Sequence, residues 1–183
     1  MNKRELLSYL ERVDKALKND TILYVYGSAA FILLDEPDRI SLDIDVAGPY
    51  SQADIGDLRQ AANQAGLPID PDDSYSSDHI EWISQLRLCL PRPNPETEME
   101  LWQGSRLSVR TVSAAELIAS KLIRYDEIDR SDIQYLYSQR KIDFIEIDAA
   151  VQALAPPFNR DPMVLENLRN LKVDMGMWDE EII

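Results

Sequence analysis

The spacing of hydrophobic positions changes along the chain. Leu6, Leu7, Leu10, Val13 and Leu17 recur at steps of three and four, which predicts a helix over residues 2–19. Thr21–Tyr26 is a β-branched and aromatic run that stops at Gly27 and reads as a buried strand. Residues 28–34 (SAAFILL) read as a helix entered directly from that glycine, and Pro37 marks 35–39 as a turn. Residues 41–47 (SLDIDVA) read as a second strand closed by Gly48-Pro49. Residues 51–65 read as a helix ended by Gly66 and Pro68. The acidic stretch 70–78 has no apolar period and is a loop. Within 80–90 at least one strand is expected, because Leu86, Leu88 and Leu90 alternate with Arg87 and Cys89. After a proline-rich loop at 91–95, residues 99–102 and 107–112 predict a hairpin turning around Gln103-Gly104.

From Ser113 the period is helical. Ser113 and Glu116 make a capping box before LIASKLI. Further helices are expected near 129–139, 144–154 and 162–171, with Pro156-Pro157 separating the last two. The chain contains no repeat, no low-complexity tract and no obvious flexible linker. The predicted class is therefore α/β (α+β): a mixed α/β core over residues 1–112, and a helical portion over 113–183 packed on it.

Composition narrows the function. The 183 residues are 45% hydrophobic and 28% charged, which suits a folded protein with a substantial core. Against 33 Asp+Glu stand 19 Lys+Arg, a net charge of −14. That balance repels polyanions and argues against a non-specific nucleic-acid binder, while leaving room for a local basic pocket or a neutralising metal. One cysteine, Cys89, excludes an internal disulfide framework and a thiolate zinc cluster. One histidine, His79, argues against a multi-histidine metal site. The N-terminal stretch has no apolar signal core and no run reaches the roughly 18 apolar residues of a membrane helix, so the expected location is the cytoplasm and no membrane partner is expected.

Two features carry candidate chemistry. The first is Gly27-Ser28 at a strand-to-helix turn, where glycine lets backbone approach a ligand and the serine hydroxyl and helix N–H groups suit a phosphate. A plain turn with a serine cap is the alternative. The second is Asp43-Ile44-Asp45 in an apolar strand. Side chains alternate across a strand, so Asp43, Asp45 and Ser41 share one face while Ile44 and Val46 face the core. Two adjacent carboxylates repel, and a hard cation such as Mg²⁺ relieves that cost by taking carboxylate and phosphate oxygens together. A solvent-facing edge strand, or arginine partners, would also satisfy the pair. Taken together, the two features supply both halves of metal-assisted phosphoryl chemistry.

Gly27-Ser28 followed by Arg39-Ile40-Ser41-Leu42-Asp43-Ile44-Asp45-Val46 resembles the core motif of the DNA polymerase β-like nucleotidyltransferase superfamily. It is similar in particular to the AbiEii-like and MenT-like toxin nucleotidyltransferases. Downstream, Glu116–Leu122 with Lys121, then Asp129-Arg130-Ser131-Asp132-Ile133, resembles their lysine helix and later aspartate. The helical wheel places Lys121 beside Leu117 and Tyr125, just within the apolar arc, and Asp132 beside Leu136. A snorkelling lysine and a salt-bridged aspartate would fit the same positions.

The resemblance implies a nucleotidyltransferase fold with a mixed central sheet, whose site the helical portion over 113–183 completes. It implies that Asp43 and Asp45 bind Mg²⁺ (or Mn²⁺), that Gly27, Ser28, Ser41 and Lys121 bind the NTP, and that Asp132 completes the catalytic set. It further implies transfer of an NMP to tRNA or protein by the toxin of a toxin–antitoxin system, with a cognate antitoxin as partner and Ser41 as a place for self-modification. Rivals are a small-molecule, aminoglycoside-type nucleotidyltransferase and a non-catalytic protein that keeps the fold. Glu98 and Glu100 are candidates for a third carboxylate. His79 reads as exposed, Cys89 as a small buried residue, the three tryptophans as packing residues, and the tail from Trp178 as a segment that frays or docks on a partner.

Overall fold

In the computed structural model, which describes residues 1–181, helix α1 (Lys3–Ala16) starts where the sequence supplies a cap. The Asn2 side chain accepts the Glu5 N–H and the Glu5 carboxylate accepts the Asn2 N–H, a reciprocal capping box. Its inward face buries Leu6, Leu10 and Val13. Strand β1 (Thr21–Tyr26) leads into the short helix α2 (Gly27–Leu33), and β2 (Asp43–Ala47) into α3 (Ile55–Gln64). Then come β3 (His79–Ile83), β4 (Met99–Gln103) and β5 (Leu107–Thr111). The remaining helices are α4 (Ala114–Lys121), α5 (Glu127–Arg140), α6 (Phe144–Gln152) and α7 (Pro162–Glu181), with a single 3₁₀ turn at Phe158–Arg160.

The strands form one mixed sheet in the order β3-β2-β1-β5-β4. β1 runs antiparallel to β2 and parallel to β5; β2 runs parallel to β3; β4 and β5 form the expected hairpin. This is a mixed α/β arrangement, as expected from the sequence. Strand alternation gives the sheet two unlike faces. Leu23, Val25, Ile44, Val46, Ile80, Leu107 and Val109 line one face and are buried. Tyr26, Asp43, Asp45, His79, Glu81 and Arg110 lie on the other and are half-buried. Helices α1 and α3 pack on each other, and α2 packs on β1 and β2.

The chain divides into two compact units. The first is Met1–Leu88 with Pro95–Thr111, and the second is Cys89–Asn94 with the chain from Val112 onward. In the second, α4 packs against α5 and α6, and α6 against α7. The Ser113/Glu116 capping box forms as the sequence indicates. Among the described residues no helix is long and apolar enough to cross a membrane.

Three sequence expectations need correction. Only 79–83 of the leucine-rich stretch is a strand; Leu86 is 89% exposed, whereas Leu88 and Leu90 are buried from irregular chain. Helix α7 continues ten residues past the expected Leu171 to Glu181 and buries Trp178, so that residue neither frays nor waits for a partner. Residues 182–183 of the tail lie outside the described residues. Helix α4 stops at Lys121, and Tyr125 takes a left-handed conformation (φ 54°), so it does not share a helical face with Lys121.

The hairpin turn is tied to α1 by one carboxylate. Asp14 accepts the backbone N–H groups of Ser105 (3.0 Å), Arg106 (2.8 Å) and Leu107 (2.8 Å). A Cβ on Gly104 would come within 2.4 Å of Asp14 Oδ1, so the close approach requires glycine. Burial raises the Asp14 pKa, but the three N–H donations and the Arg106 charge outweigh it and hold the group below the ordinary carboxylate range. A depressed folded pKa contributes stability above the unfolded value, near 4, that is lost as pH falls through the folded one. Asp14→Asn should therefore lower unfolding stability at pH 7 by about 1–3 kcal/mol and flatten the acid limb below about pH 4. Urea titrations at pH 7 and pH 3 check this, and an unchanged acid limb contradicts it.

Candidate functional site

The site residues of the first unit gather where β1 ends and β2 begins its pairing. Tyr26 and Asp45 are directly opposite in the antiparallel register. The chain then turns at Gly27 with φ +61°, a conformation L side chains rarely adopt. A Cβ there would lie 2.3 Å from Asp45 Oδ2. The Asp45 carboxylate thus sits against the bare Cα of Gly27, and any side chain would displace it.

Asp43 lies two residues back on the same face. Ser41 Oγ donates to Asp43 Oδ1 at 2.8 Å, and the Asp43 N–H reaches back to Ser41 Oγ at 3.4 Å. The Ser41 N–H in turn donates to the Met1 carbonyl at 3.0 Å, which fixes the approach to β2. Ser28, one residue beyond the glycine, accepts from Arg39 Nη2 at 2.6 Å. Gly27, Ser28, Ser41, Asp43 and Asp45 are therefore brought together. Helix α2 has only seven residues, so its macrodipole is weak, and recognition of an anion there falls mainly to side chains and backbone N–H groups.

Strand β3 adds two residues: His79, which sequence reasoning set aside, and Glu81, which it passed over. His79 is the cross-strand partner of Asp43, and Glu81 that of Asp45. Glu81 Oε1 lies 3.8 Å from His79 Nε2, and its Oε2 is 3.5 Å from Arg87 Nη2. The alternation His79, Glu81, Ile83 was the available signal, but only the pairing with β2 gives it meaning. Glu98 and Glu100 do not stand beside the aspartates. They belong to the β4 edge, with β5 and β1 between it and β2. Glu98 accepts from Tyr24 Oη (2.5 Å) and Arg110 Nη1 (2.6 Å), and Glu100 is exposed. Burial and then the Glu98 charge raise the Tyr24 pKa.

Among the described residues no group of three or more His, Cys, Asp or Glu side chains is arranged to hold a metal ion. Asp43 and Asp45 present a pair of hard oxygen donors on one face. Mg²⁺ is commonly held by one or two carboxylates with the rest of its shell from phosphate and water, so the donor set fits it.

In the second unit the structure brings Lys121 and Asp132 together. Lys121 ends α4 with its side chain 5% exposed, 2.8 Å from Asp129 Oδ1 and 2.5 Å from Asp132 Oδ2. Arg124 donates to both Asp129 oxygens, from Nε to Oδ2 (2.8 Å) and from Nη2 to Oδ1 (2.9 Å). Burial raises the Asp129 pKa, but the Arg124 hydrogen bonds and the Lys121 charge outweigh it and leave it below the ordinary range. Asp129 is a partner that sequence reasoning quoted without assigning a role. Removing one member of such a buried ion-pair cluster costs about 3–5 kcal/mol. Loss of activity in a Lys121 variant therefore has a structural cause ready before any phosphate contact is invoked. Cys89 is buried, and burial followed by the Asp161 charge pushes its thiol up to about 12, which makes it inert at neutral pH.

The turn geometry makes a direct prediction. Gly27→Ala should destabilise the chain by about 1–2 kcal/mol through the left-handed backbone alone, and further through collision with Asp45. Adding Asp45→Ala removes the collision, so the double variant should lose less than the sum of the two single losses. Denaturant midpoints of the four proteins test this; strict additivity would show that the two residues are not in contact.

A family model described as "Nucleotidyltransferase of unknown function (DUF6036)" matches residues 4–159. No curated protein and no solved structure matches the chain.

Proposed function

Because the chain belongs to the nucleotidyltransferase family DUF6036, we propose that the β1–α2 turn and the Asp43–Asp45 face form its NTP site. Nucleotidyl transfer is the general chemistry of the family. The observation that carries the placement is the Asp45 carboxylate lodged against Gly27, with Asp43 beside it on the same strand face. It joins two sequence features that were separate along the chain.

In this reading the backbone at Gly27 and the Ser28 hydroxyl face the phosphates. Ser41 holds the Asp43 carboxylate in one rotamer, so that side chain is oriented before substrate arrives. A divalent cation, Mg²⁺ or Mn²⁺, held by Asp43 and Asp45 would neutralise charge on the phosphates. Glu81, beside Asp45 on β3, is the nearest carboxylate along the sheet to add to the pair. An acceptor hydroxyl attacks the α-phosphorus and gives up its proton to water, as an O–P bond forms in line with the one that breaks, and pyrophosphate carries away the electron pair. Alignment and charge neutralisation suffice for this step, so no covalent protein nucleophile enters. Lys121 is committed to Asp129 and Asp132, so a role for it toward phosphate requires exchange of one of those partners.

The resemblance of the Arg39–Val46 run and of the Lys121/Asp132 segment to AbiEii-like and MenT-like proteins supports a toxin that modifies tRNA or protein and is held by an antitoxin. A reaction that draws on NTP fits a cytoplasmic location. The net charge of −14 favours a second reading, a cationic small-molecule acceptor of the aminoglycoside kind.

The test is incubation of the full chain with each α-labelled NTP and Mg²⁺ or Mn²⁺, offering total tRNA, the protein itself or an aminoglycoside as acceptor. Label should move to one acceptor. Asp43→Asn and Asp45→Asn should each cut the rate by about 10²-fold or more. Their melting temperatures should stay level or rise, because one of two repelling charges is gone. Full transfer by both variants would refute the site, and absence of transfer together with absence of NTP binding would favour a non-catalytic protein.

A further inference from the structure

We propose that Arg39 is a nucleotide-positioning residue that fixes the Ser28 hydroxyl and meets the triphosphate of the incoming NTP. This rests on the NTP-site reading above and adds to it a residue to which that reading gives no role.

Arg39 lies between α2 and β2, outside any helix or strand, yet its side chain is only 15% exposed. Its Nη2 donates to Ser28 Oγ at 2.6 Å, directly beside the glycine that Asp45 rests on. Its Nε stands 3.9 Å from Glu36 Oε2, within ion-pair range and beyond hydrogen-bond length. Glu36 is itself buried, with its side chain 7% exposed. The guanidinium is thus held at depth between a site hydroxyl and a carboxylate.

Charge in this stretch is lopsided. Residues 36–45 contain Glu36, Asp38, Asp43 and Asp45 against the single cation Arg39. A triphosphate would add about four negative charges near full ionisation, of which one divalent cation offsets half. A fixed guanidinium is the protein's own means of offsetting more. Its planar fork matches two phosphate oxygens at once, which a lysine does not. When NTP arrives, its phosphate oxygens compete with the Glu36 carboxylate for the guanidinium, while the bond to Ser28 keeps the fork in register. No bond is made or broken in the protein.

The experiment is calorimetric titration of the full chain, in Mg²⁺, with each of the four NTPs and, by competition, the matching NMPs. Wild type, Arg39→Ala and Arg39→Lys are compared, with thermal melts to check folding. Arg39→Ala should weaken the NTP that wild type binds by about 10- to 100-fold. It should leave the NMP unchanged, and Arg39→Lys should recover only part of the loss. If both variants bind NTP as wild type does, the proposal is overturned while the NTP site stands. If NTP and NMP affinities fall together, Arg39 is a structural residue and the proposal is again overturned. If wild type binds no NTP, the site reading fails first and takes this proposal with it. Should Arg39→Ala not fold, Arg39→Lys decides alone: a lower ratio of NTP to NMP affinity supports the role and an unchanged ratio overturns it.

Discussion

The contact on which the candidate site depends is that of the Asp45 carboxylate with the bare Cα of Gly27. It requires three conditions at once. The antiparallel register must set Tyr26 opposite Asp45. The backbone must turn through positive φ at position 27. No side chain may stand at position 27, where a Cβ would lie 2.3 Å from Asp45 Oδ2. Glycine alone meets the last two. From that contact the remaining geometry follows: Asp43 comes to the same face by strand alternation, and Ser28 lies one residue beyond the turn. Asp43 and Asp45 lie on the half-buried face of β2, and Ile44 and Val46 fill the buried one.

The second unit is built on a different electrostatic principle. Lys121, Asp129, Asp132 and Arg124 neutralise one another locally, with the lysine and both aspartates nearly removed from water. A further clasp joins α5 to α7, where Arg130 makes two 3.0 Å hydrogen bonds to Asp174 and Tyr125 Oη adds a third at 2.5 Å. Burial and then the Asp174 charge raise the Tyr125 pKa, so the phenol stays neutral and acts as a donor. Charges in this unit tie α4 to α5 and α5 to α7, and desolvation makes Lys121, Asp129 and Asp132 hard to replace singly.

Local patterns were legible where one element could be read alone. The cap at Ser113/Glu116, the hairpin around Gly104 and the inward turn of Ile44 and Val46 all follow from neighbours in sequence. What escaped depends on pairing in space. Glu81 gains its position from the parallel register of β3 with β2, which no spacing within 79–83 reveals. Glu98 showed the right alternation but sits at the far edge, because strand order is not chain order. The leucine alternation over 86–90 imitated a strand; with Leu86 in water and Pro91 following, there is no ladder for it to join. Lys121 points inward as the wheel suggested, but its helix ends there and the cause is a pair of carboxylates rather than an apolar arc. Arg39 was visible only as part of a motif, and its bond to Ser28 gives it a physical task.

The most direct measurement of the central claim is anomalous diffraction from crystals of the full chain soaked with Mn²⁺ and an NTP. The account predicts a manganese peak bridging the Asp43 and Asp45 carboxylates, with triphosphate density running to Gly27 and Ser28. Manganese and nucleotide bound elsewhere, with the two carboxylates untouched, would contradict it.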